Sequence, residues 1–111
     1  MLWKSSEQKI IKLDSEGFVL GLQNDAQYQC GQIQLHKKDV ILYYTDGVTD
    51  TSNALGERFD EERLIKSFSK LCQQSLKSKE ILEKIFKTLD NFTGKNRQLQ
   101  DDASMVVFQL E

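Results

Sequence analysis

The chain has 111 residues, a length typical of one domain that can bury a hydrophobic core. Its 15 basic and 17 acidic residues give a net charge of −2, so there is no basic excess to hold a nucleic-acid backbone. The longest apolar run is Val40–Tyr44, which is too short to cross a bilayer, and residues 1–10 contain no signal-peptide core. We therefore expect a cytoplasmic protein that contacts neither membrane nor nucleic acid.

Short strands are predicted in the first half of the chain. Residues 9–13 are typical of a strand, and residues 18–22 form a second apolar segment with a glycine inside it. Residues 28–35 alternate in polarity with a slip of one position around Gly31, as a β-bulge produces. Val40–Tyr44 is apolar at both alternating positions, which predicts a central strand buried on both faces.

Two helices and one more strand are predicted in the second half. Apolar residues at helical spacing predict one helix near residues 60–74 and another from Ser78 to Gly94. Residues 47–59 are polar and small and predict a long loop, while Met105–Phe108 predict a second buried strand. The predicted fold class is α+β, with an antiparallel β-sheet covered on one face by two antiparallel helices.

Acidic residues lie at the ends of the two most apolar strands. Asp46 follows the first of these strands, and Asp101 and Asp102 precede the second. If the strands are antiparallel neighbours, these acids meet at one edge of the sheet, with Asp50 on the loop that leaves it. Carboxylates that converge without a basic partner repel one another unless a cation neutralises them, and all-oxygen ligation favours Mg²⁺ or Mn²⁺. The alternative is that they are ordinary turn and loop residues.

Several segments around these acids resemble the motifs of one enzyme family. Residues 41–50, ILYYTDGVTD, resemble the LYTDGVTE signature of PPM-type metal-dependent serine/threonine phosphatases, in the stage II sporulation protein E and RsbU branch. Residues 53–59 resemble the family's N..GE.FG motif, and residues 60–64 its EERL helix start. Residues 101–107 resemble the closing DDiTllv motif, and residues 17–22 resemble G.PLG with valine in place of proline.

The resemblance implies a metal site and the residues that form it. Asp46 and Asp101 match metal-binding aspartates, and Asp50 matches an acid that in some relatives helps to hold a third ion. Asp102 is expected to stand beside the ligands, and Gly47 to let the backbone pass close to the metal. In the family, two Mn²⁺ or Mg²⁺ ions activate a water that attacks the phosphorus of phosphoserine or phosphothreonine. No catalytic protein nucleophile is therefore expected.

The resemblance covers only the C-terminal half of the family's domain. The GD and GDVSGHG motifs of the other half, whose aspartates complete the two-metal centre, do not occur in this sequence. Residues 1–111 are thus expected to form a single partial domain, half of an α-β-β-α sandwich, that is inactive alone and self-associates through the open face of its sheet.

The function that the resemblance implies is hydrolysis of phosphoserine on a bacterial regulatory protein, such as an anti-sigma-factor antagonist. The alternative is a truncated, non-catalytic phosphatase-like module that binds a partner protein.

Overall fold

The computed structural model describes residues 1–14, 21–94 and 102–111. Among these residues the strands are β1 (Leu2–Lys4), β2 (Lys9–Ile11), β3 (Val40–Tyr44) and β4 (Met105–Gln109). The helices are α1 (Asp46–Thr49), α2 (Asp60–Cys72) and α3 (Ser78–Thr93). The strands form one sheet in the order β2-β1-β3-β4, and every neighbouring pair is antiparallel. The predicted α+β class is confirmed.

Helices α2 and α3 cover one face of the sheet. Each helix turns an apolar stripe inward, and its spacing of three and four residues matches the helical repeat. Phe59, just before α2, packs edge-to-face on Phe92 near the end of α3, so the two helices run antiparallel as predicted. The core between helices and sheet contains side chains from both layers, among them Trp3, Leu42, Leu64, Phe68 and Ile85.

Strand β1 is a buried strand that the sequence patterns did not predict. It lies between β2 and β3, and its central residue Trp3 pairs with Ile10 on one side and Val40 on the other. Trp3 is only 1% exposed and belongs to the core. Three residues are too few to carry a periodic signal, so only the pairing identifies this strand.

The prediction of a strand at residues 28–35 is wrong. The structure has no strand there, and the segment lies mostly exposed with no ladder partner among the described residues. Alternation of polarity predicts a strand only when one face can be buried, and among the described residues no element covers Tyr28 or Ile33, which are both exposed. Of the segment predicted at residues 18–22, positions 18–20 lie outside the described residues, and Gly21 and Leu22 form an exposed turn.

The predicted loop at residues 47–59 contains more regular structure than expected. Its start belongs to α1, in which the backbone N–H of Asp50 donates to the carbonyl of Asp46 at 2.8 Å. Farther along, Ser52 and Arg58 form an isolated antiparallel bridge, and the N–H of Phe59 donates to the carbonyl of Thr51. This narrow loop brings residues 50 and 58 close together.

Strand β3 is central, as predicted, but the prediction that it is buried on both faces is wrong for this chain. Tyr43 is 56% exposed and Phe108 on β4 is 55% exposed, and their rings pack edge-to-face at 5.8 Å. Val106 on the same face is also exposed, and Ile41 is half-buried. The reason is geometric, because both helices lie on the opposite face of the sheet.

A buried ion pair joins the end of β1 to the turn before β3. The Lys4 ammonium lies 3.0 Å from Asp39 Oδ2, and both side chains are almost fully buried. The backbone N–H groups of Ser5 and His36 also donate to this carboxylate, at 3.0 and 2.9 Å. Burial alone would raise the pKa of Asp39, but these two donors and the Lys4 charge outweigh it and hold the pKa below its usual value.

Candidate metal centre

The end of β3 lies beside the start of β4, which confirms that these strands are antiparallel neighbours. Tyr44 pairs with Met105 at the last position of the ladder. The contact continues beyond it, because the N–H of Thr45 donates to the carbonyl of Ser104 at 3.1 Å. In return, the N–H of Ser104 donates to Thr45 Oγ1 at 3.1 Å. The chain entering β4 is therefore fixed against the chain leaving β3.

Gly47 lies at the closest point between these two segments. A Cβ atom built on Gly47 would stand 2.0 Å from the carbonyl oxygen of Asp102 and 2.8 Å from its carbonyl carbon. Real Cβ atoms essentially never approach another atom within 3.0 Å, so only glycine fits this position. The backbone of Asp102 consequently lies directly against the turn that begins at Asp46.

Asp46 is an exposed carboxylate on a rigid turn. It is the first residue of α1, and its backbone carbonyl accepts hydrogen bonds from the N–H of Asp50 and from Thr49 Oγ1. The Thr51 hydroxyl braces the same turn by donating to the carbonyl of Gly47 at 2.8 Å. Within the part of the chain that the structure describes, no side chain forms a hydrogen bond or an ion pair with the exposed Asp46 carboxylate, so its oxygens are open to a ligand.

Asp50 differs from Asp46 in having a basic partner. Its Oδ1 forms an ion pair with Arg58, which the bridge between Ser52 and Arg58 holds opposite it. The expectation that the acids of this edge lack a nearby cation is therefore wrong for Asp50. Arg58 already neutralises part of the charge that would attract a third ion to this position.

A polar network that the sequence did not predict lies beside Asp46. Glu61, in the first turn of α2, accepts a hydrogen bond from the Tyr44 hydroxyl at 3.0 Å and another from Lys12 Nζ at 2.8 Å. Together with Asp46, these residues line a concave surface that encloses a volume of about 370 Å³. Lys12 and Glu61 lie 49 residues apart, so no local sequence pattern could have linked them.

The network shifts the pKa of each of its members. Burial, followed by the hydrogen bond to Glu61, raises the pKa of Tyr44 to about 12. The hydrogen bond from Lys12, followed by that from Tyr44, lowers the pKa of Glu61. The same contact with Glu61 raises the pKa of Lys12. At neutral pH the three groups are therefore a phenol, a carboxylate and an ammonium, which is the combination that their hydrogen bonds require.

The remaining predicted ligand, Asp101, lies outside the described residues. It directly precedes Asp102, which is exposed and whose backbone rests against Gly47. Among the residues that the structure describes, no group of three or more histidine, cysteine or acidic side chains could hold a metal ion. The roles of Asp46, Asp50, Asp101, Asp102 and Gly47 at a metal therefore stay predictions.

Comparison with known proteins identifies the family. The whole chain, residues 1–111, matches the family of Stage II sporulation protein E (SpoIIE). The chain belongs to the SpoIIE family. This match confirms the resemblance that the motifs indicated.

A curated relative shows how much of a SpoIIE-related protein the chain covers. The chain is 28% identical over 109 residues to "Phosphoserine phosphatase RsbU" of Bacillus subtilis (strain 168). The aligned region covers 96% of this chain but 30% of that protein, so the chain spans about a third of the length of this relative. No solved structure matches the chain. Within the described residues, no helix is long and apolar enough to cross a membrane.

The type of ligand at the acidic edge around Asp46 suits a hard divalent ion. Asp46 offers the carboxylate oxygens that Mg²⁺ and Mn²⁺ prefer as ligands. The described carboxylates are too few to hold an ion alone, so Asp101 would have to complete the set on this chain.

Proposed function

We propose that this chain is the C-terminal part of a metal-dependent phosphoprotein phosphatase domain. The observation that carries the proposal is the contact of Gly47 with the backbone of Asp102, in a chain that matches the SpoIIE family along its whole length. That contact brings the two acidic motifs of the sequence to one edge of the sheet. In this proposal Asp46 and Asp101 bind Mn²⁺ or Mg²⁺, Asp50 assists, and Asp102 and Gly47 support the ligands.

The chain's own contribution to the reaction is to hold these ligands in place. When bound, the ions supply a water activated for attack on phosphorus. Asp46 is held by the hydrogen-bonded turn of α1, and Gly47 lets the backbone of Asp102 approach that turn. The network around Glu61 stiffens the wall of the adjoining concave surface. A two-metal centre needs further ligands, so this chain alone is expected to be inactive.

The substrate class follows from the relative rather than from the site. RsbU carries the name of a phosphoserine phosphatase, and at 28% identity we extend this to phosphoserine on a bacterial regulatory protein. An anti-sigma-factor antagonist in the cytoplasm is the specific substrate that we propose. In the same proposal, residues 1–111 are a single partial domain, and the exposed face around Tyr43 is the face that packs against the rest of an α-β-β-α sandwich.

A non-catalytic module is the second candidate function. The ion pair between Asp50 and Arg58 favours it, because a neutralised carboxylate is a poor metal ligand. In that case the exposed face of the sheet binds a partner protein and the acidic edge is a structural remnant.

Metal binding by the chain itself tests the first candidate. We expect Mn²⁺ to broaden the amide NMR signals around Asp46 and Asp102, since its unpaired electrons relax nearby nuclei. The variant Asp46→Asn should abolish this broadening, whereas the control Asp25→Asn, at an exposed turn residue between β2 and β3, should retain it. Uniform broadening, or broadening that survives in Asp46→Asn, would exclude the proposed ligand.

Activity is tested by a chimera. Residues 1–111 replace the aligned region of RsbU, and Mn²⁺-dependent release of phosphate from a phosphoserine protein is measured. We expect an active chimera that Asp46→Asn or Asp101→Asn inactivates without unfolding. A folded chimera that binds Mn²⁺ but releases no phosphate supports the non-catalytic module instead.

A further inference from the structure

A groove with a cationic lining runs between α2 and α3. It encloses a volume of about 360 Å³. Four residues within positions 67–74 line one side, and four within positions 84–91 line the other. Each side contributes residues at intervals of three, four and seven, so each forms one stripe along a helix. Apart from Leu71, the lining residues lie outside the buried core, and the groove opens to solvent. We call this surface the lysine groove, after Lys70, Lys84 and Lys87.

The charge of the lysine groove is unbalanced. Lys70, Lys84 and Lys87 are all exposed, and none of the acidic residues that the structure describes lines the groove. Within the described residues none of the three takes part in a salt bridge, whereas lysines elsewhere, such as Lys9 and Lys12, pair with glutamates. The chain as a whole has a net charge of −2, so these three lysines make the groove a local region of positive potential.

We propose that the lysine groove is a docking site for an acidic segment of a partner protein. The stripe from residue 84 to residue 91 extends about 10 Å along α3, which matches roughly three residues of extended chain. Three lysines complement the two or three carboxylates that such a segment can present. The hydroxyl of Ser67 and the amide of Asn91 line the same groove and can hydrogen-bond to the backbone of the segment.

Other anionic partners fit the lysine groove less well. Membrane surfaces are typically bound by clusters of about four to eight basic residues together with apolar side chains that insert. Here there are three lysines, and the apolar side chain in the groove, Leu71, is only 9% exposed. Nucleic acids present long arrays of phosphates, which a chain of net charge −2 repels outside this groove.

The lysine groove is separate from the candidate metal centre. Glu61 marks the metal end of α2 through its contact with Tyr44, and Lys70 lies nine residues farther along the helix, about 13 Å away along its axis. A docked segment would leave the acidic edge open and raise the local concentration of whatever it tethers. The proposal therefore does not depend on metal binding or phosphatase activity.

Binding of a defined acidic peptide tests the proposal. The probe is a fluorescein-labelled peptide of alternating glutamate and serine, with a glutamine-serine peptide as the neutral control. The variant replaces Lys70→Gln, Lys84→Gln and Lys87→Gln together. We expect about a tenfold loss of affinity, since three exposed ion pairs are removed, and NMR shifts confined to residues 67–74 and 84–91 in the unchanged chain.

A matched variant separates the groove from general charge. Lys37→Gln, Lys66→Gln and Lys79→Gln remove the same charge from exposed positions outside the groove and should change affinity less than twofold. Circular dichroism checks that both variants fold. The proposal is overturned if the acidic peptide does not bind, if the control variant loses as much affinity, or if the neutral peptide binds equally well. Tighter lysine-dependent binding to phosphatidylserine vesicles or duplex DNA would also overturn it.

Discussion

Replacing Gly47 by alanine is the most direct test of the contact on which the candidate metal centre depends. The new Cβ would lie 2.0 Å from the carbonyl oxygen of Asp102, about 1 Å inside the closest approach of real Cβ atoms. The obstacle is backbone, held by the hydrogen bonds between Thr45 and Ser104, and it cannot rotate away like a side chain. Overpacking typically costs about 1–3 kcal/mol, and this contact belongs at the upper end of that range.

Helix propensity acts in the opposite direction at this position. Gly47 lies in α1 without the positive φ that favours glycine, so alanine would gain up to about 1 kcal/mol from its better helix propensity. The steric cost outweighs this gain, and we expect a net loss of about 2 kcal/mol in the free energy of unfolding. The two effects differ in sign, which makes the outcome decisive.

Urea unfolding followed by circular dichroism measures this loss. With a slope of about 2 kcal/mol per M, the midpoint for Gly47→Ala should fall by about 1 M. Gly56→Ala is the control, because Gly56 has a φ of 81° and open space around it, so only backbone strain of about 1–2 kcal/mol applies. A midpoint for Gly47→Ala at or above that of the unchanged chain would refute the close approach of the two segments.

Three further predictions follow from the buried ion pair and the exposed face. Lys4→Met should lower the free energy of unfolding by about 3–5 kcal/mol, because it leaves a buried carboxylate unpaired, whereas Lys9→Met at an exposed pair should change it by less than about 0.5 kcal/mol. Because the pKa of Asp39 is lower in the folded chain, its charge stabilises the fold at pH values above the unfolded pKa of about 3.9. This stabilisation is lost as the pH falls through the lower pKa of the folded state. Asp39→Asn should therefore flatten the acid side of a pH series of urea midpoints. The double variant Tyr43→Ser with Phe108→Ser should reduce the mass measured by light scattering to one chain, because it removes the apolar face through which the chain is expected to self-associate.

Each of these predictions has an outcome that contradicts it. Equal losses for Lys4→Met and Lys9→Met would show that the Lys4 pair is solvated. An unchanged acid slope in Asp39→Asn would assign the acid dependence to other carboxyl groups. A mass of one chain for the unaltered protein at micromolar concentration would show that the face around Tyr43 does not drive self-association.

Elements with their own apolar periodicity could be predicted from the sequence. Helices α2 and α3 begin and end within two residues of their predicted bounds, and β3 was placed at Val40–Tyr44. The motif around Asp46 and Gly47 also indicated the SpoIIE family correctly. In each case the signal lies in consecutive residues, since the helical repeat and the two-residue repeat of a strand are local properties of the chain.

Only the tertiary structure decided several features that depend on which distant segments meet. Strand β1 exists because β2 and β3 flank it, whereas residues 28–35 carry an alternating pattern but have no partner strand in the described structure. Both Lys4 and Glu61 bind groups that are more than thirty residues away along the chain, and the exposure of Tyr43 follows from the side on which the helices pack. Such contacts arise from the closure of long loops, so the identities of neighbouring residues do not specify them.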